Sequence, residues 1–337
     1  MVEPVLDIRN LTVVFDTPAG TLHAVNDLSY TLMPGETLGI VGESGSGKSV
    51  HVLAMLGLLP CPPARIVSGE VLFRGRDLLA LSERELCDIR GAEIGMVFQD
   101  PMSSLNPVLT TGRQLREVIQ RHAGLDHAQA SARAVELLGL VGIPDPTARL
   151  AQYPHQLSGG MRQRVMIAIG LACDPTLLIA DEATTALDVT VQAQVIDLIR
   201  DLKNRLGTTI IWITHDMGVV AELADTVQVM YAGRIMERGP IAPVFHQPRS
   251  AYSWSLLRSL PSMARHRRLY QIPGSPPNMI HPPPGDPFAP RNPFATPRCH
   301  RDVPPLRQVA DSVPGHQVAA WYDLPAAMAA HPEIADA

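Results

Sequence analysis

Short apolar runs alternate with helix-compatible stretches from the start of the chain to about Gly239. Val5–Phe15 and Glu36–Val41 read as strands, the second running into a Gly-rich turn. Ile94–Phe98, Thr176–Ala180 and Thr209–Thr214 are further apolar runs. The last two are apolar almost without a break, the pattern of strands buried on both faces of a parallel sheet. Thr111–His122, His127–Leu140, Gly160–Ala172 and Val191–Leu206 carry helical patterns between them. This alternation predicts an α/β architecture. After about Tyr270 the pattern stops, and roughly half of the 31 prolines fall in this last fifth of the chain, Pro282–Pro284 among them. Proline fixes φ and removes a backbone donor, so an irregular appendage is predicted there, with a disordered tail at 326–337.

Composition narrows the class. The 337 residues can hold one large domain, or one domain plus an appended segment, and 46% apolar content supplies a sizeable core. A net charge of −5 gives no reason to expect nucleic acid as a partner. No run approaches the length of a membrane span, and the N-terminal residues MVEPVLDIRN lack the layout of a signal peptide. A cytoplasmic chain is expected, and any membrane role would need spanning helices from other chains. Cys61, Cys87, Cys173 and Cys299 form no CxxC-type pair and read as idle thiols of a reducing compartment. No internal repeat is present.

The first candidate chemistry is a phosphate loop. Gly42, Glu43, Ser44, Gly45, Ser46, Gly47, Lys48 and Ser49 fit G-x-x-x-x-G-K-S/T, follow the apolar strand LGIV and precede the helix-compatible run VHVLAMLGLL. Glycines let successive N–H groups face the phosphates at the positive end of a helix. Lys48 is expected to reach the β- and γ-phosphates of a nucleotide, and the Ser49 hydroxyl to coordinate Mg²⁺, which leaves kinases, GTPases and many ATPases open.

Five more motifs follow in order. Gln99 comes just after IGMVF, in QDPMSSLNP, and Leu157-Ser-Gly-Gly-Met-Arg-Gln163 precedes a helix pattern. Leu177-Leu-Ile-Ala-Asp181 is an apolar strand ending in an acid, with Glu182 next, then Ala186-Leu-Asp188, and His215 closes IIWIT. Taken singly, a Gln after a strand is usually a surface residue, a strand-end His structural and a lone Phe core. Their joint register with the phosphate loop reverses that reading for Gln99 and His215.

In order and spacing these residues resemble the ABC-transporter ATPase family over roughly residues 5–240, with LSGGMRQR similar to its signature. The resemblance implies a P-loop NTPase fold: a RecA-like core, an antiparallel β subdomain, a helical subdomain at about 110–155, and a Pro-rich extension at 241–325 following an ATPase domain at 1–240. A carboxylate at the end of a buried strand must be paired, so Asp181 is expected to face hydrated Mg²⁺. Glu182 is expected to act as general base on the attacking water. The resemblance further implies that Gln99 contacts the metal and senses the membrane partner, and that His215 holds the γ-phosphate and the glutamate. It implies that Asp188 contacts nucleotide and that Phe15 stacks on adenine, although the spacing from Phe15 to the phosphate loop is longer than usual. Ser158, Gly159 and Gly160 would face ATP held by a second subunit, so two chains must meet head to tail. Ala183 gives DEAT where the related subfamily has DEPT.

QDPMSSLNP, ADEATTALDVTVQAQ and the segments HQPRSAYSWSLLRSLP and PFAPRNPFATPRCHRDVPPL resemble the oligopeptide/dipeptide and nickel importer ATPases. That resemblance implies two permease subunits, a second and related ATPase, an extracytoplasmic solute-binding protein, and a position on the cytoplasmic face of the membrane. Peptides are the expected cargo, with nickel or another small solute as the alternative. The extension of this group often carries four cysteines that bind an iron–sulfur cluster. Here Asp286, Asn292 and Ala320 stand at three of those places, leaving Cys299, so no cluster is expected. A soluble ABC ATPase acting on nucleic acid or ribosomes is the distant alternative. It is disfavoured by the single motif set and by an interval of about a hundred residues between phosphate loop and signature. A catalytically silent structural partner is disfavoured by the intact Glu182, His215 and LSGGM.

Overall fold

The structure is a computed structural model and describes residues 3–184, 189–260 and 270–335. The chain opens with strands β1 (Leu6–Thr17), β2 (Gly20–Leu32) and β3 (Thr37–Val41), then helix α1 (Lys48–Met55). Strands β4 (Ala64–Phe73) and β5 (Arg76–Asp77) lead to α2 (Glu83–Ile89) and β6 (Ile94–Val97). A helical run follows: α3 (Pro101–Ser104), α4 (Thr111–Ala123), α5 (His127–Leu140), α6 (Pro146–Arg149) and α7 (Gly159–Gly170). Next come β7 (Leu177–Asp181), α8 (Val189–Leu206), β8 (Thr209–Ile213), α9 (Met217–Leu223), β9 (Thr226–Tyr231) and β10 (Arg234–Pro240). The last elements are α10 (Ile241–His246), α11 (Ala251–Arg258), β11 (Leu306–Gln308), β12 (Gln317–Ala319), α12 (Leu324–Ala330) and α13 (Pro332–Ala335). No helix among the described residues is long and apolar enough to cross a membrane.

The chain divides into two compact units. The first joins residues up to Leu6, Thr31–Thr37 and Phe73–Thr214. Its strands β8, β7 and β6 lie side by side and parallel, and every residue of β7 and β8 is buried. This explains their almost wholly apolar sequences, LLIAD and TIIWI, since a parallel strand covered on both faces has no polar side. Helices α4, α5 and α7 pack on one another. Leu115 and Ile119 of α4 and Ala130, Ala134, Leu137 and Leu138 of α5 are fully buried, at the three- and four-residue spacing that aligns side chains on one helical face. Local signals fix the ends. The Thr110 side chain accepts from Arg113 N at the start of α4, Gly124 ends it in the left-handed region, and Asp126 with Gln129 forms a capping box on α5. Each such cap contributes about 1 kcal/mol.

The second unit holds Asp7–Tyr30, Leu38–Leu72 and the chain from His215 on. Strands β2, β1 and β4 are neighbours in that order, and the two-residue link from β1 to β2 makes an antiparallel hairpin. A second, mixed sheet runs β11-β12-β10-β9-β3. In it β3 and β9 are parallel, while the pairs β9–β10, β10–β12 and β12–β11 are antiparallel. Ala232 and Gly233, both at positive φ, turn β9 into β10, as the right-handed twist of a tight hairpin requires. Tyr231, Tyr252 and Phe288 meet in one aromatic cluster, their ring centroids 4.6 to 5.4 Å apart.

Two expectations change. The tail at 326–337, expected to be disordered, carries α12 and α13 in its described part, and Ala327, Met328 and Ile334 pack against the buried aromatic core. The segment after Tyr270 holds more order than proline content suggests. Phe288 and Phe294 are buried, and β12 extends the sheet beyond β10. Proline prevents long elements there, but three-residue strands and buried rings need none.

Candidate functional site

In the second unit, β3 is a buried strand whose end delivers the chain into the loop Gly42–Gly47, and α1 begins at Lys48. The two bounding glycines are obligatory. Gly42 has φ +149°, and a Cβ there would lie 2.1 Å from the Met230 carbonyl oxygen. Gly47 has φ +94°, and a Cβ there would lie 2.6 Å from the Ala24 carbonyl oxygen. No backbone could accommodate either without moving the loop. The β9–β10 turn braces it, Gly233 N donating to the Ser46 carbonyl at 3.0 Å. Lys48 is 6% exposed, and its Nζ donates to the carbonyls of Gly42 at 2.8 Å and Glu43 at 3.1 Å. The Ser46 hydroxyl is buried without a hydrogen-bond partner among the described residues. Ser44 and Gly45 are exposed, and Ser49 is half-buried as the second residue of α1. The loop thus offers one enclosed cation, an unsatisfied hydroxyl and the N-terminus of an eight-residue helix, the equipment for a polyphosphate.

His51 backs this loop. It is fully buried, with Nδ1 3.2 Å from the Gly47 carbonyl and Nε2 3.2 Å from the Tyr30 hydroxyl. A carbonyl can only accept, so Nδ1 carries the proton and Nε2 accepts from Tyr30. Burial pushes the His51 pKa down to about 4, with the hydrogen bonds to the Gly47 and Lys48 backbone opposing the shift. The ring is therefore neutral near pH 7. Phe15 lies near the end of β1 with a half-buried side chain, and His215, just after Thr214, is exposed.

The first unit holds Asp181 and Glu182. Asp181 ends β7 and is 8% exposed. Glu182 follows in the left-handed region, φ +48°, and its N–H donates to the Ile213 carbonyl at 2.9 Å. Such a φ in a non-glycine residue stores strain and sets where its side chain leaves the strand. The β6–β7 register aligns Val97 with Ala180, so the chain two residues further on brings Gln99 beside Glu182. Gln99 Nε2 donates to the Glu182 carboxylate at 2.7 Å, joining residues 83 apart in sequence. Gln99 and Asp181 supply oxygen donors in the first unit, and Ser49 supplies a hydroxyl in the second. Oxygen donors of these kinds are the chemistry that suits Mg²⁺.

The signature residues divide by role. Ser158 caps α7, its Oγ accepting from Met161 N at 3.3 Å. A Cβ on Gly159 would meet nothing within 4 Å, whereas one on Gly160 would come 2.8 Å from Val191 Cγ1. Gly160 is therefore a packing glycine, and Gly159 lies open at the positive end of a 12-residue helix. Arg162 donates to the Pro154 carbonyl at 2.7 Å and touches the Met102 sulfur, linking the signature to the segment after Gln99. Asp188 lies outside the described residues.

Sequence reasoning missed three neighbours of the phosphate loop. The Tyr252 hydroxyl accepts from Glu43 N at 2.9 Å, and Arg291 forms an ion pair with the Glu43 carboxylate while donating to the Tyr231 hydroxyl at 3.0 Å. Their partners lie about two hundred residues away, and only an unusual buried Arg and Tyr in a Pro-rich context could have hinted at them. In the same segment Asp286, Asn292, Cys299 and Ala320 are all buried. Asp286 N donates to the Cys299 carbonyl at 2.7 Å, and burial raises the Asp286 carboxyl to about 6 against the opposing pull of Phe288 N and His300. No three His, Cys, Asp or Glu side chains among the described residues converge to hold a metal.

Comparison with known proteins accounts for both parts of the chain. Residues 25–185 match the ABC transporter family, and residues 236–299 match the oligopeptide/dipeptide transporter C-terminal region. The oligopeptide transport ATP-binding protein OppD of Bacillus subtilis is 50% identical over 318 residues, covering 94% of this chain and 88% of that protein. OppD of Haemophilus influenzae is 52% identical over 297 residues, covering 88% and 91% of the two chains. The dipeptide transport ATP-binding protein DppD of Bacillus subtilis is 48% identical over 320 residues, covering 95% of each. Among solved structures, the dimeric ATP-binding cassette MJ0796 bound to ADP and Pi matches 70% of this chain and 98% of its own length, with a TM-score of 0.63 and 28% identity. CbiO1 from Clostridium perfringens, part of the ABC transporter complex cbiONQ, matches 73% and 92% with a TM-score of 0.62 and 29% identity. A phosphate loop bounded by two obligatory glycines, a glutamate beyond a strand-end aspartate held by a glutamine, and similarity that runs through the C-terminal segment lead to one assignment: the chain belongs to the ATP-binding proteins of ABC transporters, in their oligopeptide/dipeptide subfamily.

Proposed function

We propose that this chain is the ATP-hydrolysing subunit of an importer of oligopeptides or dipeptides. It would work at the cytoplasmic face of a membrane beside two permease subunits, a related second ATPase and an extracytoplasmic solute-binding protein. Residues 1–240 form the ATPase domain in this reading, and 241–325 the extension. The observation that carries the catalytic part is the hydrogen bond from Gln99 to Glu182, which presents a carboxylate at the end of β7 beside the buried Asp181.

Phosphoryl transfer is mostly positioning and charge neutralisation, and the residues divide accordingly. Gly42 to Ser49 wrap the β- and γ-phosphates, with Lys48 countering their charge. Ser49, Gln99 and Asp181 would hold Mg²⁺, which neutralises charge on the phosphate oxygens. Glu182 takes a proton from the attacking water as its oxygen bonds to the γ-phosphorus and the bond to ADP breaks, giving ADP and inorganic phosphate. His215 steadies the γ-phosphate and Glu182, Phe15 stacks on adenine, and Asp188 contacts the nucleotide. Ser158, Gly159 and the backbone of Gly160 face ATP held by the second ATPase, with the bare Cα of Gly160 packed against Val191, so ATP closes the pair and hydrolysis releases it, passing work to the permeases.

The test is uptake of labelled dipeptides and oligopeptides by cells carrying the wild-type chain or Lys48→Ala, with copurifying membrane proteins identified by mass spectrometry. Peptide uptake lost in the variant, with two multi-span proteins recovered, supports the proposal. Nickel uptake lost instead replaces the cargo, and recovery of ribosomal proteins without permeases overturns the transport role.

A further inference from the structure

Arg291 sits on the short helical turn Ala289–Arg291 of the C-terminal segment, its side chain 6% exposed, 248 residues from Glu43 in sequence. Its Nη1 donates to Glu43 Oε2 at 2.8 Å and its Nη2 to Glu43 Oε1 at 3.0 Å, fork against fork. The guanidinium is itself fixed from behind, Nε donating to the Pro273 carbonyl at 2.8 Å and Nη1 to the Tyr231 hydroxyl at 3.0 Å. Glu43 is held at its other polar groups too. Its N–H meets Tyr252, and its carbonyl accepts from Lys48 Nζ at 3.1 Å and from Ser46 N at 3.2 Å. Glu43 is thus the residue at which the phosphate loop and the C-terminal segment meet.

The position poses an electrostatic problem. A carboxylate in the second place of a loop built for polyphosphate repels its ligand, and at 24% exposure it is only partly screened by water. Arg291 answers it twice: it cancels the charge, and the two-point grip holds Glu43 so that its carbonyl stays on the Lys48 ammonium.

We infer that Arg291 is a positioning residue for the nucleotide, neutralising Glu43 and fixing the first turn of the phosphate loop, so that ATP affinity depends on the folded C-terminal segment. The inference rests on the proposed nucleotide site, and the experiment separates the two.

Steady-state ATP hydrolysis by the full chain is measured for wild type, Arg291→Met, Arg291→Lys, and Arg291→Met combined with Glu43→Gln. Arg291→Met is expected to raise KM for ATP by about tenfold, with a smaller loss in kcat, because it leaves an unpaired carboxylate beside the phosphates. Adding Glu43→Gln removes that charge and returns KM most of the way to wild type, a recovery that loss of packing alone would not give. An Arg291→Met KM within twofold of wild type, or no recovery in the double variant, overturns the inference. Should Arg291→Met fail to fold, Arg291→Lys decides it. A single-point donor is expected to raise KM by about threefold, and an unchanged KM overturns the inference. Lys48→Ala runs alongside. If that variant still turns over ATP with a normal KM, the nucleotide site itself is misplaced. If it is inactive while the Arg291 variants behave as wild type, only the role of Arg291 falls.

Discussion

The amide of Gln99 donates to the carboxylate of Glu182 across 2.7 Å, so the acid beyond β7 is aimed by a residue just beyond the neighbouring strand β6. Glu182 stands at φ +48° with its own N–H tied to Ile213, so backbone and side chain are both directed. Two variants test the consequence. Glu182→Gln keeps the hydrogen-bonding shape but cannot take a proton, and is expected to lower kcat about a hundredfold or more while ATP still binds. Size-exclusion chromatography with ATP should then show a trapped dimer, and wild-type turnover in this variant would refute the assignment of the base. Gln99→Ala leaves the base present but unaimed, and a loss of about tenfold in kcat is expected.

The two glycines of the signature should separate stability from catalysis. Gly160→Ala drives a methyl to 2.8 Å from Val191 and is expected to cost about 1–3 kcal/mol in unfolding free energy. Gly159→Ala meets open space, so thermal unfolding should be unchanged or slightly improved, while ATP-dependent pairing and turnover fall. Equal melting shifts in the two variants would contradict this division.

His51 makes the fold sensitive to acid. Its folded pKa of about 4 lies below the ordinary 6.5, so the unfolded chain takes up the proton first as pH falls. Stability from this group is complete above pH 6.5, declines between about 6.5 and 4, and is fully lost below 4, about 3 kcal/mol in all. His51→Gln has no proton to gain. Denaturant titrations at several pH values should show a flatter dependence over that window.

Asp286 works in the opposite direction. Burial raises its carboxyl to about 6 from 3.8, so the folded chain binds the proton first, and the charged form burdens the fold above pH 6. Asp286→Asn keeps an acceptor for Phe288 N and removes the charge. The variant is expected to be more stable at pH 7.5 by up to about 3 kcal/mol, with the gain gone below pH 4. A variant no more stable than wild type at pH 7.5 would show that His300 and the loop amides already meet the cost.

What could be read from the chain depended on how local the cause was. The strands β7 and β8 announce themselves because each is apolar but for one terminal residue, and α4 and α5 because their buried residues recur at helical spacing within a dozen positions. The phosphate loop is equally local: strand, glycines and helix are contiguous, and only the contacts that make Gly42 and Gly47 obligatory come from elsewhere. Gln99 beside Glu182 needed the β6–β7 register as well as the two motifs. The grip of Arg291 on Glu43 was out of reach, since nothing near either residue marks the other. The C-terminal segment misled for a related reason. Its order comes from buried rings and from β12 lying against β10, with no periodic pattern of its own.

The pairing of β12 with β10 has a consequence for the timing of synthesis. Glu237 is fully buried on β10 and accepts from Arg249 N, Ser250 N and His316 Nε2, the last at 2.8 Å, with Val318 opposite it in the sheet. The ribosome releases residues 237 and 43 long before 316 and 291. Until those arrive, the nascent chain presents an open strand edge with a poorly matched acid upon it. A chain cut short between 240 and 316 would carry every motif of the ATPase and still expose that edge, marking it for chaperones or proteases before it could compete for a place in the membrane complex.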